Sequence, residues 1–295
     1  MDKVIIQVAM NERVTKAENP HVPLSPEEQA QDALDCWRAG ASIVHFHPRD
    51  PASGANRPAD VALYLAALNR IREKSDVIFY PTAGYSPDVD ADLAHVRELA
   101  RAPGRVAEMY LQGIGAWSLA AWDSGQGAFV RDNGYVVGHN VLMPFLRHSL
   151  EHGMKVVMMA HELGHVRSIL MLQDAGLLGD KLVVQLNFSD GAAYGPLPNA
   201  NGLRAYLDMF PSGKPTWFVQ TPGAAHHSVN ALALAMGGHP RLGIGDAAPE
   251  RGGPYSNAQL VERMVAQARA IGREVATPAE ARAIMGMQPL QHGAL

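Results

Sequence analysis

Two histidines separated by one residue, His45-Phe46-His47, follow the apolar run Ala41-Ser42-Ile43-Val44 and precede Pro48-Arg49-Asp50. Side chains alternate between the faces of a strand, so Ile43, His45, His47 and Arg49 share one face while Val44 and Phe46 share the other. Two imidazoles spaced this way at a strand end form a chelating pair, and the guanidinium beside them is an anion clamp. A bland alternative is a pair of hydrogen-bonded core histidines. Metal ligation is preferred because histidine is the commonest metal ligand and neither ring suits a purely apolar core.

A second pattern, His161-Glu162-Leu163-Gly164-His165, matches H-E-x-x-H. Zinc-protease chemistry needs both histidines on one helical face, the glutamate as base and a third ligand further on. Here the motif begins where a strand-like run ends, Gly164 weakens a helix, and the next glutamate downstream is Glu250. The spacing therefore predicts a loop after a strand, with His161 or Glu162 lining a site mouth and His165 on the first turn of the following helix.

The elements that must position these groups alternate regularly. Strand-like runs fall at 4–10, 42–47, 76–81, 105–111, 154–160, 181–187, 215–220 and 240–245, with amphipathic segments near 26–39, 60–74, 87–101, 138–152, 163–176, 200–210, 227–237 and 255–272. The first helix is well signed: Ser25-Pro26-Glu27-Glu28 supplies an N-cap hydroxyl, proline at N1 and a capping-box glutamate. Eight strands alternating with eight helices predict an α/β fold, a (β/α)8 TIM barrel spanning 1–295 as a single domain, with a short C-terminal helix opened by Thr277-Pro278. A doubly wound sheet ranks lower, since no glycine-rich fingerprint follows the first strand. Barrel chemistry sits at the C-terminal strand ends. That rule gathers Glu12, His45, His47, Arg49, Thr82, Gly84, Glu108, His161, Asn187, Gln220 and Asp246.

Composition narrows the class. A formal net charge of −4 over 295 residues argues against nucleic acid as a partner. No run reaches the roughly 18 apolar residues of a membrane span, and Met1-Asp2-Lys3 leads into a strand-like run and not a signal peptide. The lone Cys36 forms no internal disulfide and reads as a buried thiol in an apolar helix. A cytoplasmic location is expected. Trp117 and Trp122, after the fourth strand, are candidates to roof the pocket or to pack between subunits.

With these features in place, the chain resembles the β-keto acid cleavage enzymes, the family of 3-keto-5-aminohexanoate cleavage enzyme. The likeness is carried by 19–28, by 39–50 with the His-x-His strand, by Gly237-Gly238-His239-Pro240-Arg241-Leu242-Gly243, by 256–261 and by 272–282. The resemblance implies a (β/α)8 barrel, a homotetramer, and one divalent metal, Zn2+ being the expected ion. It implies an acyltransferase or carbon–carbon lyase activity, a retro-Claisen exchange in which a β-keto acid and acetyl-CoA become acetoacetate and a new acyl-CoA. It further implies that His45 and His47 bind the metal, that Asp246 is the general base with Arg241 in its relay, and that Thr82 helps hold the substrate carboxylate. Glu12 lies close to, without strictly aligning with, a family glutamate at the end of the first strand. Arg49, Gly84 and Glu108 complete the expected substrate-binding set.

One departure matters. The family pattern runs from Arg241 to a Glu-Asp pair whose glutamate is the third metal ligand, whereas this chain reads Arg241-Leu242-Gly243-Ile244-Gly245-Asp246. Glycine offers a metal nothing. The fourth strand, Glu108-Met109-Tyr110-Leu111-Gln112-Gly113, also leaves the family pattern. Either the third ligand has moved, with Glu108, Glu250, His161 or Asp246 as substitutes, or the barrel runs another metal-dependent lyase or hydrolase reaction on a keto acid, or it binds a small acid without catalysis.

Overall fold

The structure, a computed structural model, describes residues 3–83, 89–104, 106–211, 215–247 and 253–290. Eight parallel strands form the central sheet: β1 (Gln7–Ala9), β2 (Ile43–His45), β3 (Ile78–Tyr80), β4 (Met109–Gly113), β5 (Lys155–Ala160), β6 (Val183–Asn187), β7 (Thr216–Gln220) and β8 (His239–Leu242). Every neighbouring pair from β3 through β2, β1, β8, β7, β6 and β5 to β4 is parallel. The Glu108 amide, just ahead of β4, donates to the Phe79 carbonyl of β3 at 3.3 Å and draws the two edge strands together. All eight expected strands are present, each inside or close to its expected range, and the arrangement is the (β/α)8 barrel. No helix among the described residues is long and apolar enough to cross a membrane.

The helices between the strands follow their end signals. The Ser25 hydroxyl accepts from the Glu28 amide and the Glu28 side chain returns to the cap, which starts Pro26–Ala39; Gly40, at φ 117°, ends it in the left-handed conformation. The helix expected over 87–101 is instead two pieces, Val89–Asp92 and Ala94–Arg101. A larger difference lies after β4. Two small antiparallel ladders, Gly115–Ser118 with Gly134–Val137 and Ala121–Asp123 with Ala128–Arg131, precede the helix His139–Glu151. Their strands are short and largely exposed, so they lack the continuous apolar run that marks a barrel stave.

The barrel interior changes character along its axis. At the N-terminal end, Ile5, Ile43, Ile78, Met109, Val157, Val183 and Phe218 pack together, and Ala281 and Met285 of the helix Pro278–Met285 close them off. One strand alternation higher, five of the eight inward positions are the buried polar side chains Gln7, His45, Tyr80, Gln185 and Arg241, alongside Leu111, Met159 and Gln220. Buried polar groups must find partners. Those partners are the site.

Candidate active site

His45 and His47 turn inward at the end of β2 and lie against Glu12, which follows β1. Glu12 Oε2 is 2.6 Å from His47 Nε2, and Glu12 Oε1 is 3.3 Å from His45 Nε2. The two imidazoles that face the carboxyl explain its titration. Burial works against ionisation, but His47 and His45 outweigh it and hold Glu12 well below the usual carboxylate range. Burial in turn lowers His45 from its ordinary value, with Glu12 opposing.

Glu12 has φ 38°, a conformation that non-glycine side chains rarely adopt. Arg49 explains how it is held. One guanidinium nitrogen donates to the Glu12 carbonyl at 2.6 Å, to Val14 at 3.2 Å and to Asn11 at 3.3 Å, and the other reaches the Gly54 carbonyl at 3.0 Å. The expected anion clamp is therefore corrected: Arg49 spends its donors on the main chain of the loop that carries Glu12, and does not line the cavity. Asn11 completes the loop, its side chain accepting from the His47 amide at 2.8 Å and donating to the His47 and Pro23 carbonyls at 2.9 Å.

On the other side, Arg241 of β8 donates to Glu12 Oε1 at 2.5 Å, to Asp246 Oδ2 at 2.6 Å and to the Tyr80 hydroxyl at 2.6 Å. Burial opposes its charge, but Asp246, Tyr80 and Glu12 raise it well above its ordinary value. Tyr80 stacks on His45 with ring centroids 4.4 Å apart and planes at 7°. Its carbonyl accepts from His45 Nδ1 at 3.0 Å. Because a carbonyl only accepts, Nδ1 carries a proton, and in the neutral ring Nε2 presents its lone pair toward the Glu12 carboxylate.

This arrangement can be tested against a cation. Two imidazoles and a carboxylate, with ligand atoms within 4.8 Å of one another, form a His2Glu donor set of the kind that holds catalytic zinc. The His45 lone pair facing a carboxylate oxygen at 3.3 Å is an unfavourable pairing of acceptors that a cation between them relieves. The residues fit a divalent ion. Gly245 explains why the carboxylate comes from position 12. A Cβ built at Gly245 would overlap Glu12 Cγ and come within 3.0 Å of the Ala9 carbonyl oxygen.

The cluster opens into a cavity of about 430 Å³ whose lining includes Thr82, Arg241, Met159, His161, Asn187 and Trp117. Thr82 is fixed through its main chain: its amide donates to Tyr64 Oη at 3.0 Å and its carbonyl accepts from His95 Nε2 at 2.8 Å. His161 follows β5 and stacks flat against Trp117 at 4.1 Å and 1°, and its Nε2 accepts from Asn187 at 2.8 Å. Burial, with a smaller push from His165, lowers His161 to about 3, so the ring is neutral. His165 bonds to the His161 amide and the Ala116 carbonyl, while Glu162 accepts from the Gly195 amide. Of the H-E-x-x-H residues His161 lines the cavity, His165 braces it from behind, and the three do not form a ligand cluster. Trp117, on the inserted ladder, is a pocket wall; Trp122 is exposed and packs edge-on against Phe129.

Two further expectations are corrected. Glu108 does not face the cavity. It lies at the opposite end of the barrel, buried between Arg282 (2.7 Å) and Arg72 (2.9 Å), because it precedes β4 instead of ending it. Asp246 is not among the clustered ligand atoms; it sits behind Arg241 and accepts from Gln220 at 3.3 Å. Gly84 and Glu250 lie outside the described residues.

A parallel (β/α)8 barrel with an inward His-x-His pair and a carboxylate at its mouth defines a barrel enzyme with a candidate metal centre. Residues 3–287 match the beta-keto acid cleavage enzyme family, and the chain belongs to it. It is 31% identical over 292 residues to the 3-keto-5-aminohexanoate cleavage enzyme of Fusobacterium nucleatum, covering 98% of this chain and 99% of that one. It is also 28% identical to the 3-dehydrocarnitine:acetyl-CoA trimethylamine transferase of Rhizobium meliloti, covering 91% of each. Among solved structures, a complex of ObcA with oxaloacetate superimposes with a TM-score of 0.70 at 15% identity, over 92% of this chain and 68% of that chain, a likeness of fold.

Proposed function

We propose that this protein exchanges the acyl group of a β-keto acid with acetyl-CoA, releasing acetoacetate and a new acyl-CoA. In the net reaction the bond between the substrate's C2 and its acyl carbon breaks, a bond from C2 to the acetyl carbonyl carbon forms, and the displaced acyl group ends on the CoA sulfur. The observation that carries the reading is the Glu12–His45–His47 cluster beside Arg241 at the mouth of a family barrel. His45, His47 and Glu12 would hold the divalent cation, with zinc the ion this donor set favours. When bound, such an ion polarises a ketone as a Lewis acid.

The chain's own groups account for the rest. Arg241, fixed by Glu12, Asp246 and Tyr80, presents positive charge to an entering carboxylate, and Thr82 lines the same cavity. Asp246 is the proposed base: it rests on Arg241 in the free protein, and a substrate carboxylate that engages the guanidinium loosens that pair. Trp117, His161 and Met159 shield the reacting carbons from water. A homotetramer in the cytoplasm completes the proposal.

The test combines metal analysis of the purified protein with mass-spectrometric detection of acetoacetate and acyl-CoA from a panel of β-keto acids. Stoichiometric metal, lost in a His45→Ala/His47→Ala variant, and product that disappears in Asp246→Asn are the expected results. A carboxylic acid that raises the Tm while no keto acid on the panel is converted would overturn the reading in favour of a binding barrel.

A further inference from the structure

We propose that the Tyr80 hydroxyl is a hydrogen-bond donor to the substrate oxygen that gains negative charge, which makes Tyr80 a further catalytic residue. The inference rests on the β-keto acid reading above and on a chain of amide orientations that can be followed from one end. Asp246 is a carboxylate that accepts from Arg241 Nε, so the Gln220 group facing it at 3.3 Å is the NH2. The Gln220 oxygen is then left to accept from Gln185 Nε2 at 2.7 Å. That nitrogen also donates to the Asn187 oxygen at 3.3 Å. The Gln185 oxygen therefore accepts from Gln7 Nε2 at 3.4 Å, and the same Gln7 nitrogen donates to the Tyr80 oxygen. Flipping Gln7 would set two amide oxygens against each other.

The consequence falls on Tyr80. Its phenolic oxygen receives one hydrogen from Gln7 Nε2 and one from Arg241 Nη1, and guanidinium can only donate. Both acceptor positions are filled. The phenol's own hydrogen has no acceptor among the described residues, although Tyr80 is 1% exposed and lines the cavity beside the His pair. A buried donor with no partner is unfavourable in the free protein, and a substrate oxygen supplies what is missing. The stack on His45 and the His45 Nδ1 bond to the Tyr80 carbonyl fix the phenol relative to the rest of the site. The hydrogen is shared, not transferred, so no bond to it breaks. A pre-aimed donor of this kind stabilises charge as it develops on the ketone oxygen and does little for the neutral ketone.

Tyr80→Phe keeps the ring and its stack. Its kcat is expected to fall about 100-fold, the scale of losing one oxyanion donor, with KM and metal content little changed. A kcat close to that of the unaltered protein overturns the inference. A structural role, in which Tyr80 serves only as acceptor for Gln7 and Arg241, is separated by Tyr80→3-fluorotyrosine and Tyr80→2,3,5-trifluorotyrosine. Fluorine strengthens O–H donation and weakens the lone pairs. Binding of pentane-2,4-dione, read as enolate absorbance, is expected to tighten along this series; unchanged or weaker binding overturns the inference, and the arm remains informative if the phenylalanine variant does not fold. If the unaltered protein converts no keto acid, the proposed function fails, while the dione series still decides whether Tyr80 donates.

Discussion

The side chain of Glu12 occupies the space that any side chain at Gly245 would need. Two strand ends, those of β1 and β8, thus compete for one place beside the histidine pair, and the carboxylate from β1 holds it. Gly245→Ala is expected to push Glu12 away and weaken metal binding by roughly the 10- to 100-fold typical of perturbed ligand shells. Glu12→Ala should weaken it at least as far, and the double variant no further than Glu12→Ala alone, since both changes act through one carboxylate. Competition with a chromophoric chelator measures all three. Wild-type affinity in Gly245→Ala would show that Glu12 is not held by this space.

Arg49 acts on the same carboxylate through the main chain. Its planar fork serves the carbonyls of Asn11, Glu12, Val14 and Gly54, a task that a lysine ammonium cannot match. Without it the left-handed conformation of Glu12 relaxes. Arg49→Lys is expected to need about tenfold more metal for half-maximal activity, with kcat recovered at saturating metal. A loss of kcat that metal does not restore would mean that Arg49 touches the substrate after all.

Much of this was legible in the residues. The strand runs, the Ser25 capping box and the inward phase of His45 and His47 follow from periodicities of 2 and 3.6 that local sterics impose, and each is present. Glu108 and Arg49 are misplaced for different reasons: Arg49 lies beyond the end of β2, where strand alternation no longer sets its direction and loop carbonyls take its donors. Alternation tells which face a residue takes but not its height along the barrel axis, and Glu108 enters β4 at the far end. The ladders carrying Trp117 had no apolar run to announce them. The exchange between positions 12 and 245 joins residues 233 apart through a steric overlap, and no local pattern encodes that.

Trp117 should control the substrate's tail and not its chemistry. It lies flat on His161, and a Cβ at Gly113 would come within 2.8 Å of its ring. Trp117→Ala is expected to raise KM for long-tailed keto acids by about tenfold or more, the scale of a buried aromatic contact, while kcat for the shortest substrates holds. Equal losses for short and long tails would place Trp117 elsewhere in the mechanism.

The Glu108 cluster is predicted to govern stability alone. Its carboxylate is fully enclosed between Arg72 and Arg282, which ties the closing helix Pro278–Met285 to the barrel floor. Glu108→Gln leaves two buried guanidiniums short of a counter-charge, a change that costs about 3–5 kcal/mol when a buried pair is broken. Urea unfolding should report that loss, and metal stoichiometry of the folded variant should be unchanged. A variant as stable as the parent but depleted of metal would return Glu108 to the site.

His239 sets an acid limit that can be worked out from its surroundings. It is 3% exposed, and its Nδ1 accepts from the Ile5 amide at 3.1 Å, so the folded protein needs the neutral ring. Burial, reinforced by Arg273, lowers it to about 3, against about 6.5 in the unfolded chain. Below pH 6.5 the unfolded chain therefore binds a proton that the folded protein does not. Stability falls as pH drops from 6.5 toward 3, by up to about 1.4 kcal/mol per pH unit for this one proton, and above 6.5 the histidine contributes no slope. His161, lowered to about 3 as well, adds a slope of the same sign. His239→Asn retains an oxygen able to accept from Ile5 but does not titrate. Denaturant unfolding at pH 7.5, 6.5, 5.5 and 5.0 should show a shallower decline for the variant than for the parent, whatever their difference at pH 7.5. Parallel declines would mean that the ring is protonated in the folded protein and that the Ile5 bond is not what holds it neutral.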